Sequence, residues 1–124
     1  MKILYISIPI TGHPIEKVKE RAERLKKELS VGGWEIITPF DVVPDKNIAH
    51  IEDPQIKYAY CMGKDIEKLL ICDAVFFAEG YKDSKGCLLE HAASLIYEKM
   101  NLYESSGLQI NKIYLKRELR MIQV

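Results

Sequence analysis

The chain has 124 residues, 48% of them hydrophobic, with 18 basic side chains balanced by 18 acidic ones. That size suits one domain over residues 1–124 with a core of its own. Zero formal charge argues against a nucleic-acid polymer as partner and against an acidic disordered tail, while a local pocket could still take a small charged metabolite.

Residues 2–8 (KILYISI) form an apolar, β-branched run that stops at Pro9, which predicts a buried strand. The run is too short for a secretory h-region and lacks a small-residue cleavage site. No apolar stretch is long enough to cross a bilayer, so no membrane partner is expected. Cys61, Cys72 and Cys87 form no CxxC pair and are odd in number, which suits reduced thiols in the cytoplasm. After the loop at 9–14, residues 15–29 place Ile15, Val18, Ala22, Leu25 and Leu29 at helical spacing with charges between them, an amphipathic helix ended by Gly32 and Gly33. A second strand follows at 34–38 (WEIIT). Residues 40–54 then show little periodicity, and a stretch this long in a small domain suggests a lid or a pocket wall.

A helix is expected over 54–71, a third buried strand over 74–79 (AVFFAE), and a turn at 80–82. Asp83 or Ser84 caps a helix predicted to run over 85–100. The segment 109–115 (QINKIYL) reads as a fourth strand, with a fifth possible beyond it. Strands alternating with helices predict an α/β fold, a three-layer sandwich with a parallel sheet of four or five strands. Ligands of such sheets bind beyond the carboxyl ends of the strands, here the loops at 9–14 and 80–86.

The segment DSKGCLLE opens a helix at the end of a buried strand. The first turn of such a helix offers free N–H groups and a positive dipole end. Ser84 adds a hydroxyl and Gly86 permits close backbone approach, so an anion or sugar hydroxyl could sit there. Glu90 lies about two turns into this helix beside Leu88 and Leu89. A carboxylate in that setting is a nucleophile, an acid or base, or a paired structural charge, although an exposed helix glutamate is the commoner case. Asp65 could reach the same pocket edge from the preceding helix, and a surface aspartate is again commoner. Asp73 reads as a helix-end or turn residue. Cys87 and His91 share a helix face at i, i+4 and could form a nucleophilic pair, but no third group orients them and two ligands make a poor zinc site. His13 and His50 carry no specific signal. The loop Pro9, Ile10, Thr11, Gly12 matches neither GxxxxGK[ST] nor GxGxxG.

The blocks YISIPITG, KDIEKLLICDAVFFAE and DSKGCLLEHA agree in order and spacing with the nucleoside 2-deoxyribosyltransferase superfamily, and the chain resembles most its small-domain branch and the 2′-deoxynucleoside 5′-phosphate N-hydrolases. The resemblance implies a flavodoxin-like (Rossmann-like) fold. It also implies cleavage or transfer of the N-glycosidic bond of a nucleoside or nucleotide, no cofactor and no metal, and a homodimer or higher homo-oligomer. It places Glu90 at the family's catalytic glutamate, Asp65 at the aspartate that binds or protonates the leaving base, and Tyr5 near the tyrosine that orients the glutamate. Ser84 matches a serine that contacts the 5′-phosphate in the nucleotide hydrolases. Gly86 and the loop of Pro9, Ile10, Thr11 and Gly12 are then expected around the substrate. The chain departs from the hydrolases in having Thr11 where they carry an arginine, and from both branches in one extra residue before Glu90. A nucleotide or nucleotide-sugar binding module without catalysis is the alternative these departures leave open.

Overall fold

The computed structural model of the chain describes residues 1–30 and 32–104. β1 (Lys2–Ser7) leads through α1 (Ile15–Glu28) to β2 (Trp34–Ile37). Two short helical turns follow, α2 (Pro39–Val42) and α3 (Asp45–Ile48), and then the long helix α4 (Pro54–Ile71). β3 (Ala74–Phe77), a 3₁₀ turn (Tyr81–Asp83), α5 (Lys85–Ile96) and β4 (Met100–Tyr103) complete the described part. The four strands form one parallel sheet in the order β2-β1-β3-β4.

Side chains alternate across β1, and the two faces of the sheet bury different sets. Leu4, Ile6 and Ile8 pack with Phe76 and with Val18, Ala22 and Leu25 of α1. Tyr5 faces the other way, with Ile37, Val75, Phe77 and Leu69 of α4, and Ala93 of α5 lies against this second cluster. One helix on one face and two on the other make the expected three layers. Being covered on both faces is also why the strands read as continuous apolar runs.

Local chemistry sets the element ends. The Asp53 carboxylate accepts from the Gln55 and Ile56 N–H groups at the start of α4, with Pro54 in the first turn. The Lys99 ammonium donates to the Leu70 and Cys72 carbonyls at its end. Asp73 is a turn residue, its carboxylate accepting from the Ile3 N–H at 2.8 Å. The segment 40–54 is a pocket wall containing two short helices. The first of them opens on a capping box between Thr38 and Asp41.

Two predicted boundaries need correction. The last described helix stops at Ile96 and not at residue 100. Glu98 takes a left-handed φ of 54°, the Lys99 N–H donates to the Ser94 carbonyl and the Glu98 N–H to the Leu95 carbonyl. This is a Schellman stop built on glutamate where glycine is usual. It frees residues 100–103 to pair with β3 as β4. The fourth strand is therefore this segment, while 109–115 lies outside the described residues. No helix among the described residues is long and apolar enough to cross a membrane.

Candidate active site

Three elements bring four polar side chains together. Tyr5 and Ser7 occupy alternate positions of β1 on the face covered by α4 and α5, both fully buried. α5 carries Glu90 over that face, and α4 carries Asp65 beside it. The Tyr5 hydroxyl donates to Glu90 Oε2 at 2.5 Å and the Ser7 hydroxyl to Oε1 at 2.8 Å. Glu90 is only 4% exposed and Asp65 6%. Asp65 Oδ1 is buried without a hydrogen-bond partner.

The environment sorts the protons. Burial pushes the Glu90 carboxyl up, the hydrogen bonds from Tyr5 and Ser7 pull it back, and it ends at about 7. Burial, and then the charge of Glu90, raises Asp65 to about 8. Burial followed by the same charge keeps the Tyr5 phenol protonated well above its ordinary range, so it remains a donor. Two carboxyls that titrate together release the first proton near neutrality. The charge then rests on Glu90, which has two donors, and the proton stays on Asp65, which has an orphaned oxygen.

Both carboxyls open onto a cavity of about 660 Å³ at the carboxyl edge of the sheet. The loop after β1 supplies Ile10 and Thr11, the segment after β2 supplies Phe40, Val43 and Ile48, and the start of α5 supplies Ser84, Lys85 and Gly86. α4 closes the opposite wall with Lys57, Tyr58 and Met62. A volume of this size suits a small organic ligand, and mostly apolar walls around a few polar groups are the usual make-up of such a site.

Of the residues expected here, Glu90, Asp65, Ser84, Gly86, Ile10 and Thr11 line the cavity, and Tyr5 stands behind Glu90. Pro9 and Gly12 lie off its lining. Pro9 is buried beside Gly80, where an added Cβ would meet its Cγ at 3.6 Å. Gly12 is exposed in a turn closed by the His13 N–H and the Ile10 carbonyl, and its φ of 86° is the reason for a glycine. Ser84 has a structural duty as well: its hydroxyl caps α5 by accepting from the Cys87 N–H. Gly86 lets α5 approach α4, since a Cβ there would meet Met62 Sδ at 3.3 Å.

The Cys87–His91 pair gains no support as a nucleophile. Burial raises the Cys87 thiol, which disfavours the thiolate. His91 Nε2 is engaged with the Tyr103 hydroxyl at 2.8 Å, and its ring lies edge-on to Phe77. Among the described residues no group of three or more His, Cys, Asp or Glu side chains is placed to hold a metal ion.

Sequence reasoning missed Ser7, along with Lys57, Tyr58 and Met62. The signal for Ser7 was a hydroxyl two residues beyond Tyr5 in an otherwise apolar strand, hence on the same face.

A family model described as a domain of unknown function, DUF4406, matches residues 2–103. The chain belongs to the DUF4406 family. The match covers every described strand and helix, so the whole cavity belongs to the DUF4406 domain. Among solved structures, this DUF4406 chain is similar to a 2-desoxiribosyltransferase from Leishmania mexicana, with a TM-score of 0.61 and 17% identity. The likeness covers 86% of this chain and 66% of that one, so the chain spans less than two thirds of that protein's length. At this identity the likeness is one of fold: the DUF4406 chain has the nucleoside 2-deoxyribosyltransferase-like fold that its sequence blocks suggested. No curated protein matches it.

Proposed function

We propose that the protein breaks or transfers the N-glycosidic bond of a nucleoside or nucleoside 5′-monophosphate, with Glu90 as nucleophile and Asp65 as proton donor. The observation that carries this reading is the buried pair itself, the Glu90 carboxyl held by two hydroxyls beside Asp65, whose buried Oδ1 has no hydrogen-bond partner, in one mostly apolar cavity. Two carboxyl groups whose surroundings separate their proton affinities are the machinery of glycosyl transfer.

In the first step a Glu90 oxygen attacks C1′, the C1′–N bond breaks, and the Asp65 proton passes to the departing base. In the second, water attacks C1′, the bond to Glu90 breaks, and the water proton returns to Asp65. If an acceptor base replaces water, its N–H proton takes that route and the outcome is transfer. As the sugar becomes cationic, the fixed carboxylate stabilises the growing charge without reorganising. Tyr5 orients the nucleophile, Ile10 and Thr11 flank the sugar, and the 5′ end lies toward Ser84, Gly86 and the start of α5. The reaction as written uses no cofactor. We also propose a homodimer, supported by the exposed Leu88, Leu89, Leu95 and Ile96 on α5, an apolar surface that a second copy would bury. A monomer in sedimentation would dispose of that part.

The test is incubation with a panel of ribo- and deoxyribonucleosides and their 5′-monophosphates, with and without a free acceptor base, read by chromatography. Free base should appear with the wild-type chain and not with Glu90→Gln. Tight binding in calorimetry with no base released from any substrate would instead make the cavity a binding site only.

A further inference from the structure

We infer that Ser7 is a second positioning residue for Glu90, its hydroxyl fixing the plane in which the carboxylate faces the cavity. The inference rests on the reading of Glu90 as nucleophile and deepens it, because it assigns how that group is aimed.

The terminal torsion of a glutamate is broad and roughly two-fold, so the backbone of α5 alone does not set the plane of its carboxylate. A single donor, Tyr5 on Oε2, would leave the other oxygen free to swing about that contact. Ser7 removes this freedom by holding Oε1 at 2.8 Å. Both donors come from alternate positions of one central strand, so they are fixed relative to each other by the sheet. Ser7 is itself 0% exposed, and its oxygen also faces the Cys87 thiol one turn before Glu90. Its hydroxyl is therefore held in a dry site, where a hydrogen bond to an ionised group is stronger than a neutral one. The lone pairs left over on the carboxylate are the ones directed at the ligand.

The same bond favours the ionised form of Glu90. The groups facing Glu90 are Tyr5 and Ser7 from β1, Asp65 from α4 and Cys87 from its own helix. Lys57, Lys85, Asp45, Glu52 and Asp83 stand elsewhere on the cavity wall. Of these, only Tyr5 and Ser7 donate hydrogen bonds to the carboxylate among the described residues. Removing one of two donors must therefore raise its proton affinity.

The experiment is a pair of substitutions, Ser7→Ala and Ser7→Cys, each followed in two ways. Carbon-13 NMR of the glutamate carboxyls, with Glu90 assigned from the spectrum of Glu90→Gln, reads its protonation without any substrate. The midpoint should move up by about one pH unit in Ser7→Ala, with Ser7→Cys, a weaker donor, between it and wild type. The rate of base release should fall about tenfold in Ser7→Ala, mainly in kcat, with the acid limb of the pH profile displaced in the same sense. An unchanged Glu90 midpoint in either folded variant overturns the inference. A wild-type chain that releases no base sinks the proposed reaction instead, and the NMR midpoints still decide what Ser7 does.

Discussion

Replacing Glu90 by glutamine should make the protein more stable, and increasingly so as the pH rises. The folded chain holds the Glu90 carboxyl at about 7 against an ordinary 4.5. An acid whose proton affinity is raised by folding contributes most below its unfolded value, and that contribution is lost as the pH climbs through the folded one. At about 1.4 kcal/mol per pH unit, the buried charge costs on the order of 3 kcal/mol at pH 8 and less than about 1 kcal/mol at pH 5. The gap in stability between Glu90→Gln and wild type should therefore widen by about 2 kcal/mol between these pH values. For a domain of 124 residues that is on the order of 8 °C in Tm. The pull of the Tyr5 and Ser7 hydroxyls on the charged form is already contained in the value of about 7, and the cost of setting an amide against them does not depend on pH, so the difference between the two pH values is the quantity to measure. Thermal unfolding of both proteins at pH 5 and pH 8 supplies it. A gap of equal size at the two pH values would refute the raised proton affinity of Glu90.

The other expectations concern the remaining members of the site and the frame around it. Tyr5→Phe should lower the rate of base release about ten- to a hundredfold and shift its acid limb upward, since Glu90 loses its shorter hydrogen bond; a pH–rate profile checks both. Asp65→Asn should remove the alkaline fall in rate expected near pH 8, and a profile that still falls there would assign that limb to another group. Cys87→Ala should keep base release within about threefold of wild type, because the thiol is buried and protonated; inactivation would revive a cysteine mechanism. Arg21→Ala should cost on the order of 1–2 kcal/mol in urea unfolding, because it removes the bonds from α1 to the Glu79 carbonyl and the Glu104 carboxylate.

Much of this was legible in the sequence, for a physical reason. Strands buried on both faces need unbroken apolar runs, so β1 and β3 announce themselves, and α1 shows its core stripe at Val18, Ala22 and Leu25. Glu90 and Asp65 could be picked out as carboxyls near the sheet's carboxyl edge, and they do share a cavity there. What the sequence hid falls into three kinds. The end of α5 carries neither glycine nor proline, so nothing marked Glu98 as the turning residue. Residues 100–103 (MNLY) are only four long, and as a strand they are outweighed by the seven-residue segment 109–115, which carries two isoleucines, a tyrosine and a leucine. Ser7 is a small hydroxyl inside a hydrophobic strand, and its importance exists only once α5 has laid Glu90 over it.

The central claim, that Glu90 attacks the sugar, is tested most directly by catching the bond it would form. A nucleoside bearing fluorine at C2′ slows departure of the sugar from a covalent intermediate, because fluorine destabilises the cationic transition state. Incubation with such a nucleoside followed by intact-mass and peptide mass spectrometry should show one glycosyl group per chain, attached at Glu90, together with one equivalent of free base. Base release with no adduct at Glu90, or an adduct on another residue, would contradict the account.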